Sequence, residues 1–445
     1  MLLRSVWRKL LALGQGHEIA MQQSAKHRQP IGVFHSSRWT PHWTVEFGYY
    51  LYLFYAVFGS AWGLSLPPLL AGGSIAALSG VCILRLKSDL KRLLAPFGLL
   101  LGCLVSFLLI QIAIYGESLM GSTTRAFIVC ILGLILIRSL CLRPGLGHRF
   151  TFVLFVVGLT ALPYIGFKAG VDRAYIEEAV SGNLSNANGL AEWFGFCAVY
   201  FGILGLESKR AVLRILSWSA AVLCLFIVGL TVSRGTLLAC GIALVLAFRR
   251  IFKRGFVPLL LLIILVWAIT ESGLFRDIFS LYMERGTEDT GRFVIWPEAV
   301  KEFLSSPVVG LGAANSSVIV PGEWRPRSPH NTFLFFALSS GIVPPLFFIS
   351  FWIVALRKSL ANIEQQEYGP FRAPLLMYVL LISFTGDLGF TFPAGLLGLV
   401  LGAGDGASYR LPRFLVVAKY HERHMYKVRR RLRPGTAAFA ARRRP

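Results

Sequence analysis

Long apolar segments recur along the chain and are separated by short polar stretches. Most of them approach the roughly 20 residues that a helix needs to cross a membrane. The pattern predicts an all-α polytopic membrane protein with about twelve transmembrane helices and one long loop that contains short helices. The predicted spans are Val45–Leu64, Leu66–Leu84, Leu94–Tyr115, Ser122–Leu140, Phe150–Phe167, Leu190–Leu206, Ile215–Val232, Thr236–Phe248, Phe256–Phe275, Asn331–Leu356, Ala373–Asp387 and Leu388–Gly404.

The polar stretches divide the chain into five parts. Residues 1–44 form a predicted cytoplasmic segment, and its first residues, Met1–Leu13, have the amphipathic spacing of a helix lying on a membrane surface. Residues 45–275 hold the first nine predicted spans, and residues 331–404 hold the last three. Between these two blocks lies a long outer loop, 276–330, and a basic cytoplasmic tail, 405–445, follows the last span.

The distribution of positive charge supports this arrangement. The chain is 55% hydrophobic and only 15% charged, yet its formal net charge is +23. If the N-terminus is cytoplasmic, 35 of the 45 Lys and Arg residues fall on the inner side, as the positive-inside rule expects. The many apolar runs argue against a soluble basic domain, so no nucleic-acid partner is expected. The basic tail is expected to lie near anionic lipid headgroups.

Cofactor and metal chemistry find little support in the sequence. The seven cysteines lie in or beside apolar runs without CxxC spacing, which disfavours a disulfide framework or a zinc site. No cluster of carboxylates has the ligand spacing of a metal site. We therefore expect neither a metal ion nor a cofactor.

The long outer loop is where chemistry is expected, because loops of this length are usually functional. Within it, Thr290–Ser305 has apolar residues at helical spacing and predicts an amphipathic helix, which Pro307 ends. Pro297 is an alternative start for the first turn of that helix. Pro307–Gly312 then predicts a turn supplied by its glycines.

His330 lies where the long loop meets the tenth predicted span. Ser328 is the predicted N-cap of that span and Pro329 its first residue. His330 would then lie in the first turn, where the positive end of the helix dipole favours a neutral imidazole. A neutral imidazole can accept a proton near neutral pH, which makes His330 a candidate general base. The alternative is a histidine with only a capping or interfacial role.

Two arginines on the predicted outer side are candidates for binding a diphosphate. Arg234 lies between two apolar spans with almost no loop, and a cation at that depth normally pairs or faces a wet cavity. Arg292 lies near the start of the predicted loop helix. Guanidinium groups bind phosphate oxygens in bidentate geometry. The alternatives are a snorkelling side chain at Arg234 and a solvated surface charge at Arg292.

Three motifs stand out in the second half of the chain. They are Thr231–Thr236 (TVSRGT), Gly291–Trp296 (GRFVIW) running through Pro307–Gly312 (PVVGLG), and His330-Asn331 followed after nine residues by Gly341. Together they resemble the O-antigen ligase and polymerase superfamily of bacterial inner-membrane glycosyltransferases. In addition, Asn183–Gly189 (NLSNANG), just before a predicted span, is similar to the Asn-rich entry to that helix in the family.

The resemblance implies a GT-C-like fold and a metal-independent glycosyltransferase of the inner membrane, with 276–330 as a periplasmic catalytic loop. It implies an undecaprenyl-diphosphate-linked glycan as the donor and lipid A–core or another glycan as the acceptor. Arg234 and Arg292 would hold the donor diphosphate, and His330 would act as general base. Three further residues are predicted to support the site: Asn331, Asn188 and Trp296.

Several functional hypotheses stay open at this stage. The spacing from His330-Asn331 to Gly341 favours an O-antigen ligase, and an O-antigen or exopolysaccharide polymerase is the alternative within the superfamily. Outside it, the alternatives are a polytopic lipid or solute transporter and a non-catalytic membrane scaffold. Transporters tend to contain internal repeats, and none is evident in this sequence.

Overall fold

The computed structural model describes residues 43–58, 68–86, 90–119, 121–141, 146–168, 187–252, 292–321, 326–361, 369–386 and 393–403. The predicted surface helix Met1–Leu13, the predicted span Phe256–Phe275 and the basic tail lie outside the described residues. Within them the chain is helical, with one isolated antiparallel bridge between Val318 and Arg327. The α-helices are α1 (Trp43–Phe58), α2 (Pro68–Leu86), α3 (Leu90–Leu94), α4 (Gly98–Ala113), α5 (Ser122–Leu140), α6 (Leu146–Lys168), α7 (Ala187–Glu207), α8 (Ala211–Leu230), α9 (Arg234–Phe252), α10 (Arg292–Ser305), α11 (Thr332–Ser340), α12 (Val343–Ala361), α13 (Gly369–Thr385) and α14 (Pro393–Ala403).

Several described helices can cross a membrane. Shorter apolar helices occur within α2, α6, α13 and α14. The predicted class, an all-α polytopic membrane protein, is therefore confirmed, whereas the count of twelve spans stays a prediction. Five segments have the length and composition of a membrane span: Ala95–Ala113, Ser122–Leu140, Asn188–Glu207, Ala211–Leu230 and Val343–Leu360.

The central helix of the described bundle is α7. Of its membrane-spanning window 89% is buried, compared with 28% for the neighbouring α8. A Cβ atom at Gly195 would lie 2.5 Å from the Tyr378 hydroxyl of α13 and 2.8 Å from the Cys240 sulfur of α9. The absence of a side chain at this glycine therefore lets three helices approach closely. This contact fixes the positions of α9 and α13, which carry part of the candidate site.

The predicted span Asn331–Leu356 is not one continuous helix. Instead, α11 ends at Ser340, Gly341 adopts a φ of +71°, and α12 begins at Val343. The break follows from close backbone packing, because a Cβ atom at Gly341 would lie 2.7 Å from the Val309 nitrogen. Mean hydropathy did not reveal this break, because Ser339, Ser340 and Gly341 are a short interruption within a long apolar run.

The segment Pro307–Gly312, here called the strap, caps the end of α11. The Leu311 N–H donates to the Leu338 carbonyl at 2.6 Å, and the Gly312 N–H donates to the Ser339 carbonyl at 3.1 Å. Helix ends leave such carbonyl groups without intrahelical partners, so the strap satisfies them. Gly310 and Gly312 have φ values of +75° and +86°, which confirms the predicted glycine turn.

Two side chains at the end of α4 hold the strap against α11. Gln111 donates from Nε2 to the Ser339 carbonyl at 2.8 Å, and its Oε1 accepts from the Ala313 N–H at 2.8 Å. Tyr115 donates its hydroxyl to the Gly310 carbonyl at 2.7 Å. The strap is therefore part of the packed structure.

Helix α11 lies among the ends of other helices. Phe333 stacks on Phe384 of α13 with ring centroids 4.7 Å apart, and it meets Phe348 of α12 at 4.9 Å. Phe336 packs against Phe107 of α4 at 5.7 Å. With 9 residues, α11 is only about 14 Å long, so α12 alone has the length of a span. We call this side of the bundle, where α4 and α13 end and α12 begins, the loop end.

The opposite end of the bundle carries its own polar contacts. Arg149 at the start of α6 pairs with the buried carboxylate of Glu46, at 2.6 and 3.0 Å. Arg372 near the start of α13 donates to the Gly402 carbonyl at 3.1 Å. Arg149 and Arg372 thus both bind polar partners at the end of the bundle opposite the loop end. The orientation in the membrane stays a prediction.

We expect Gly310→Ala to destabilise the protein. Alanine would have to adopt the positive φ of Gly310, and its Cβ atom would lie 2.5 Å from the carbonyl oxygen of Leu338. Overpacking of this kind costs about 1–3 kcal/mol, which differential scanning fluorimetry of the purified protein detects as a lower melting temperature. Gly80→Ala is the control, because nothing lies within 4 Å of that position. Equal melting temperatures for the two variants would contradict the role of the strap.

Candidate active site

A strained turn leads into α9. Val232 has a φ of +51°, a region that β-branched residues rarely adopt. Ser233 donates its hydroxyl to Thr236 Oγ1 at 3.1 Å, and its carbonyl accepts the Leu237 N–H at 3.0 Å. Arg234 is the first residue of α9 and is half-buried. Backbone strain of this kind concentrates at functional sites, because the surrounding structure must hold it in place.

The predicted loop helix is confirmed as α10, which begins at Arg292 and ends at Ser305. The alternative start at Pro297 is wrong, since this proline lies inside the helix. A proline there removes one helical hydrogen bond, but tertiary packing maintains the helix: Ile295 and Ala299 are buried on either side of it. Arg292 is thereby placed at the start of α10, where it is half-buried.

The predicted start of the next helix is wrong. The N-cap of α11 is Asn331 rather than Ser328, and Asn331 Oδ1 accepts the N–H groups of Phe333 at 2.9 Å and Leu334 at 3.2 Å. Asn and Ser are equally good N-caps, and here Asn331 makes both bonds. His330 therefore lies just before the cap instead of in the first turn. It is exposed and has a φ of +46°.

The carbonyl end of α13, Thr385 and Gly386, is the point where the three motifs meet. Arg292 donates from Nη2 to the Thr385 carbonyl at 3.1 Å. Thr332, the first residue of α11, donates its hydroxyl to the Gly386 carbonyl at 2.9 Å. Gly235, beside Arg234, packs so closely that a Cβ atom there would lie 2.7 Å from Thr385 Cγ2. The starts of α9, α10 and α11 are thus assembled around one helix end.

A second contact joins α10 to the segment that carries His330. Trp296 donates its indole N–H to the Pro329 carbonyl at 2.9 Å. Pro329 is buried and immediately precedes His330. The same loop helix therefore contacts both the end of α13 and the approach to α11.

The assembly is suited to an anion. Helix starts present N–H groups without intrahelical acceptors and carry the positive end of the helix dipole. The starts of α9 and α10 lie beside Thr385, and each begins with an arginine, Arg234 or Arg292, whereas Asn331 already caps the start of α11. Phosphate groups bind at sites of this construction. The exposed imidazole of His330 lies beside the third helix start.

Helix α7 carries two polar residues, Asn188 and Glu192, that differ in exposure. Asn188 is exposed near the start of α7, and its supporting role stays a prediction. Glu192 is buried one turn further on, and its carbonyl accepts the Tyr378 hydroxyl at 2.6 Å. Among the described residues its Oε2 atom has no hydrogen-bond partner. Glu192 therefore lies inside the bundle and not on the exposed surface that carries His330.

Three residues that build the site were missed by sequence reasoning. Thr385 and Gly386 act through backbone carbonyls, which carry no side-chain signal. The polar interruption Thr385-Gly386-Asp387 between two apolar runs was the available hint. Gln111, which holds the end of α11, could have been noticed as a polar residue within an apolar segment.

Comparison with known proteins adds to this geometry. Residues 219–349 match the family model described as O-antigen ligase. This part of the chain is similar to the O-antigen ligase family. The matched O-antigen ligase region contains Arg234, Arg292, Trp296 and His330, so the resemblance carried by the motifs is confirmed. Thr385 and Gly386 lie outside it, although they hold its separate parts together.

A curated relative agrees with this assignment. A protein of Rickettsia conorii with the provisional name polysaccharide ligase is 23% identical over 205 residues. The alignment covers 38% of this chain and 49% of that relative, so the chain spans about half of the relative's length.

The close approach of Gly235 to Thr385 can be tested by combining one substitution at each of the two positions. Gly235→Ala places a Cβ atom 2.7 Å from Thr385 Cγ2, so we expect a loss of about 1–3 kcal/mol in stability. Adding Thr385→Gly removes the overlapping atoms and is expected to restore most of the melting temperature.

The control for this pair is Gly241→Ala on the same helix, where nothing lies within 4 Å. If Gly235→Ala lowers the melting temperature equally with and without Thr385→Gly, the two positions are not in contact.

Proposed function

We propose that the protein transfers a glycan from undecaprenyl diphosphate to an acceptor hydroxyl at the outer face of the inner membrane. The observation that supports this most is the assembly of the Arg234 and Arg292 helix starts and the His330 segment around Thr385 and Gly386. A polysaccharide ligase function also agrees with the name of the curated relative.

The two arginines are proposed to bind the donor diphosphate. In the structure Arg292 donates to the neutral Thr385 carbonyl. A diphosphate offers stronger, charge-assisted hydrogen bonds and can compete for this guanidinium group. Pairing of the negative charge makes undecaprenyl diphosphate a better leaving group, because the charge that develops on it is stabilised. Guanidinium groups take this role without a metal ion, so transfer is expected to continue in EDTA.

His330 is proposed as the general base. The acceptor hydroxyl oxygen attacks the anomeric carbon while the bond from that carbon to the diphosphate oxygen breaks, and the electron pair leaves with the diphosphate. The imidazole takes the hydroxyl proton as the new glycosidic bond forms. Direct displacement predicts inversion at the anomeric carbon.

Asn331 is predicted to support the site, and its position suggests how. Its Oδ1 caps α11 through Phe333 and Leu334 and is not available to orient an acceptor. We propose that Asn331 supports the reaction by fixing the residue that follows His330.

Within the superfamily we favour an O-antigen ligase that uses lipid A–core as the acceptor. The family description and the relative's name both refer to ligases. A polymerase that adds repeat units to a lipid-linked glycan is the alternative, because both reactions need the same donor site and base.

We expect His330→Ala to lower the turnover of the reconstituted protein by about 10²–10⁴-fold, the usual contribution of a general base. Arg292→Gln should weaken binding of undecaprenyl diphosphate, since the charge that pairs with it is removed. The assay follows glycan transfer from lipid-linked donor to lipid A–core. Lys301→Ala is the control, because this exposed side chain of α10 pairs only at the surface, with Glu298 at 3.3 Å. Wild-type transfer by His330→Ala and Arg292→Gln would refute the assignment.

The acceptor can be identified from the lipopolysaccharide of a strain that lacks the gene. Loss of a ligase should leave lipid A–core without any O-antigen, because no glycan reaches it. Loss of a polymerase should leave a single repeat unit on the core. Electrophoresis of the extracted lipopolysaccharide distinguishes the two, and an unchanged profile would contradict both.

A further inference from the structure

Arg292 and Trp296 lie one turn apart on α10, so their side chains project from the same side of the helix. Each donates a hydrogen bond to a backbone carbonyl of a different segment. Arg292 contacts Thr385 at the end of α13 at 3.1 Å, and Trp296 contacts Pro329 at 2.9 Å. A single helical turn thus fastens α10 both to the end of α13 and to the segment before α11.

The contact at Pro329 bears directly on His330. The φ of His330 is +46°, and among the described residues Val232 is the only other non-glycine residue with a positive φ. Such a conformation persists only where the surroundings enforce it. After His330 the chain is fixed by Asn331, which caps α11. Before His330 it is fixed through the Pro329 carbonyl.

We propose that Trp296 is a positioning residue for His330. Its indole N–H holds the Pro329 carbonyl and thereby maintains the backbone conformation that presents the imidazole to the acceptor hydroxyl. The inference rests on the proposed function, in which His330 is the general base and Arg292 binds the donor. Since Arg292 and Trp296 share one helix, the distance between the donor diphosphate and the base is set by a rigid element.

The proposal assigns the positioning role to the indole N–H group of Trp296 and not to the size of its side chain. A half-buried indole could also serve by packing, or as a flat surface on which a sugar ring stacks. Both of those roles need only the aromatic rings, whereas positioning through Pro329 needs the hydrogen-bond donor. A replacement that keeps the shape and removes the donor distinguishes them.

The experiment therefore replaces Trp296 by benzothienylalanine, which has sulfur in place of the indole N–H. The full-length protein is reconstituted in lipid nanodiscs with donor and lipid A–core from a strain that lacks the gene. The matched control is the same replacement at Trp352 of α12, a buried residue whose Nε1 has no hydrogen-bond partner among the described residues. Affinity for undecaprenyl diphosphate and the melting temperature are measured in parallel.

We expect kcat to fall about 10- to 100-fold at Trp296, the range produced by small misplacement of a catalytic group. Donor affinity and melting temperature should match those of the unmodified protein, and replacement at Trp352 should change none of the three. An unchanged kcat at Trp296 would overturn the proposal. A matching loss of kcat, donor affinity and melting temperature would also overturn it, because general packing would explain that result.

His330→Ala in the same assay separates this inference from the proposed function. If His330→Ala retains wild-type turnover, the proposed base and the positioning role both fail. If His330→Ala is inactive while the replacement at Trp296 has no effect, only the positioning role fails.

Discussion

The candidate site depends on the carbonyl end of α13. Thr385 and Gly386 offer carbonyl groups that the helix itself cannot satisfy, and Arg292 and Thr332 donate to them at 3.1 and 2.9 Å. Gly235 packs against the same residue from α9. Three segments that are far apart in the sequence thereby share one anchor. This anchor is the contact that all three segments share, whereas the bond from Trp296 to Pro329 joins only α10 to the segment that carries His330.

A short, broken helix makes this arrangement possible. Because α11 stops at Ser340 and the chain turns at Gly341, His330 stays at the loop end of the bundle while α12 provides the span. The strap completes the break by donating N–H groups to the last carbonyl groups of α11. Glycines at 310 and 341 are required there because backbone lies against backbone. These glycines thus allow the strap to close the end of α11.

The side chains proposed to carry out the chemistry could be selected from the sequence, because each is a polar or charged residue next to an apolar segment or in the long loop. Arg234, Arg292 and His330 could be selected because they lie on the predicted outer side, which carries few of the chain's cations, and α10 could be predicted from its periodicity. The N-cap at Asn331 could not be separated from Ser328, since both residue types cap helices well. The break at Gly341 and the anchor at Thr385 depend on backbone contacts between distant segments, for which the polar interruptions at 339–341 and 385–387 are only indirect hints.

The central claim is that Arg234 and Arg292 hold one diphosphate. Its most direct test is a double-mutant cycle on the affinity of the purified protein for undecaprenyl diphosphate, using Arg234→Gln, Arg292→Gln and the double variant. If both side chains bind the same diphosphate, the two losses should be non-additive by about 0.5–3 kcal/mol, as for residues that share a partner. Losses that add within about 0.5 kcal/mol, the behaviour of independent sites, would contradict the account.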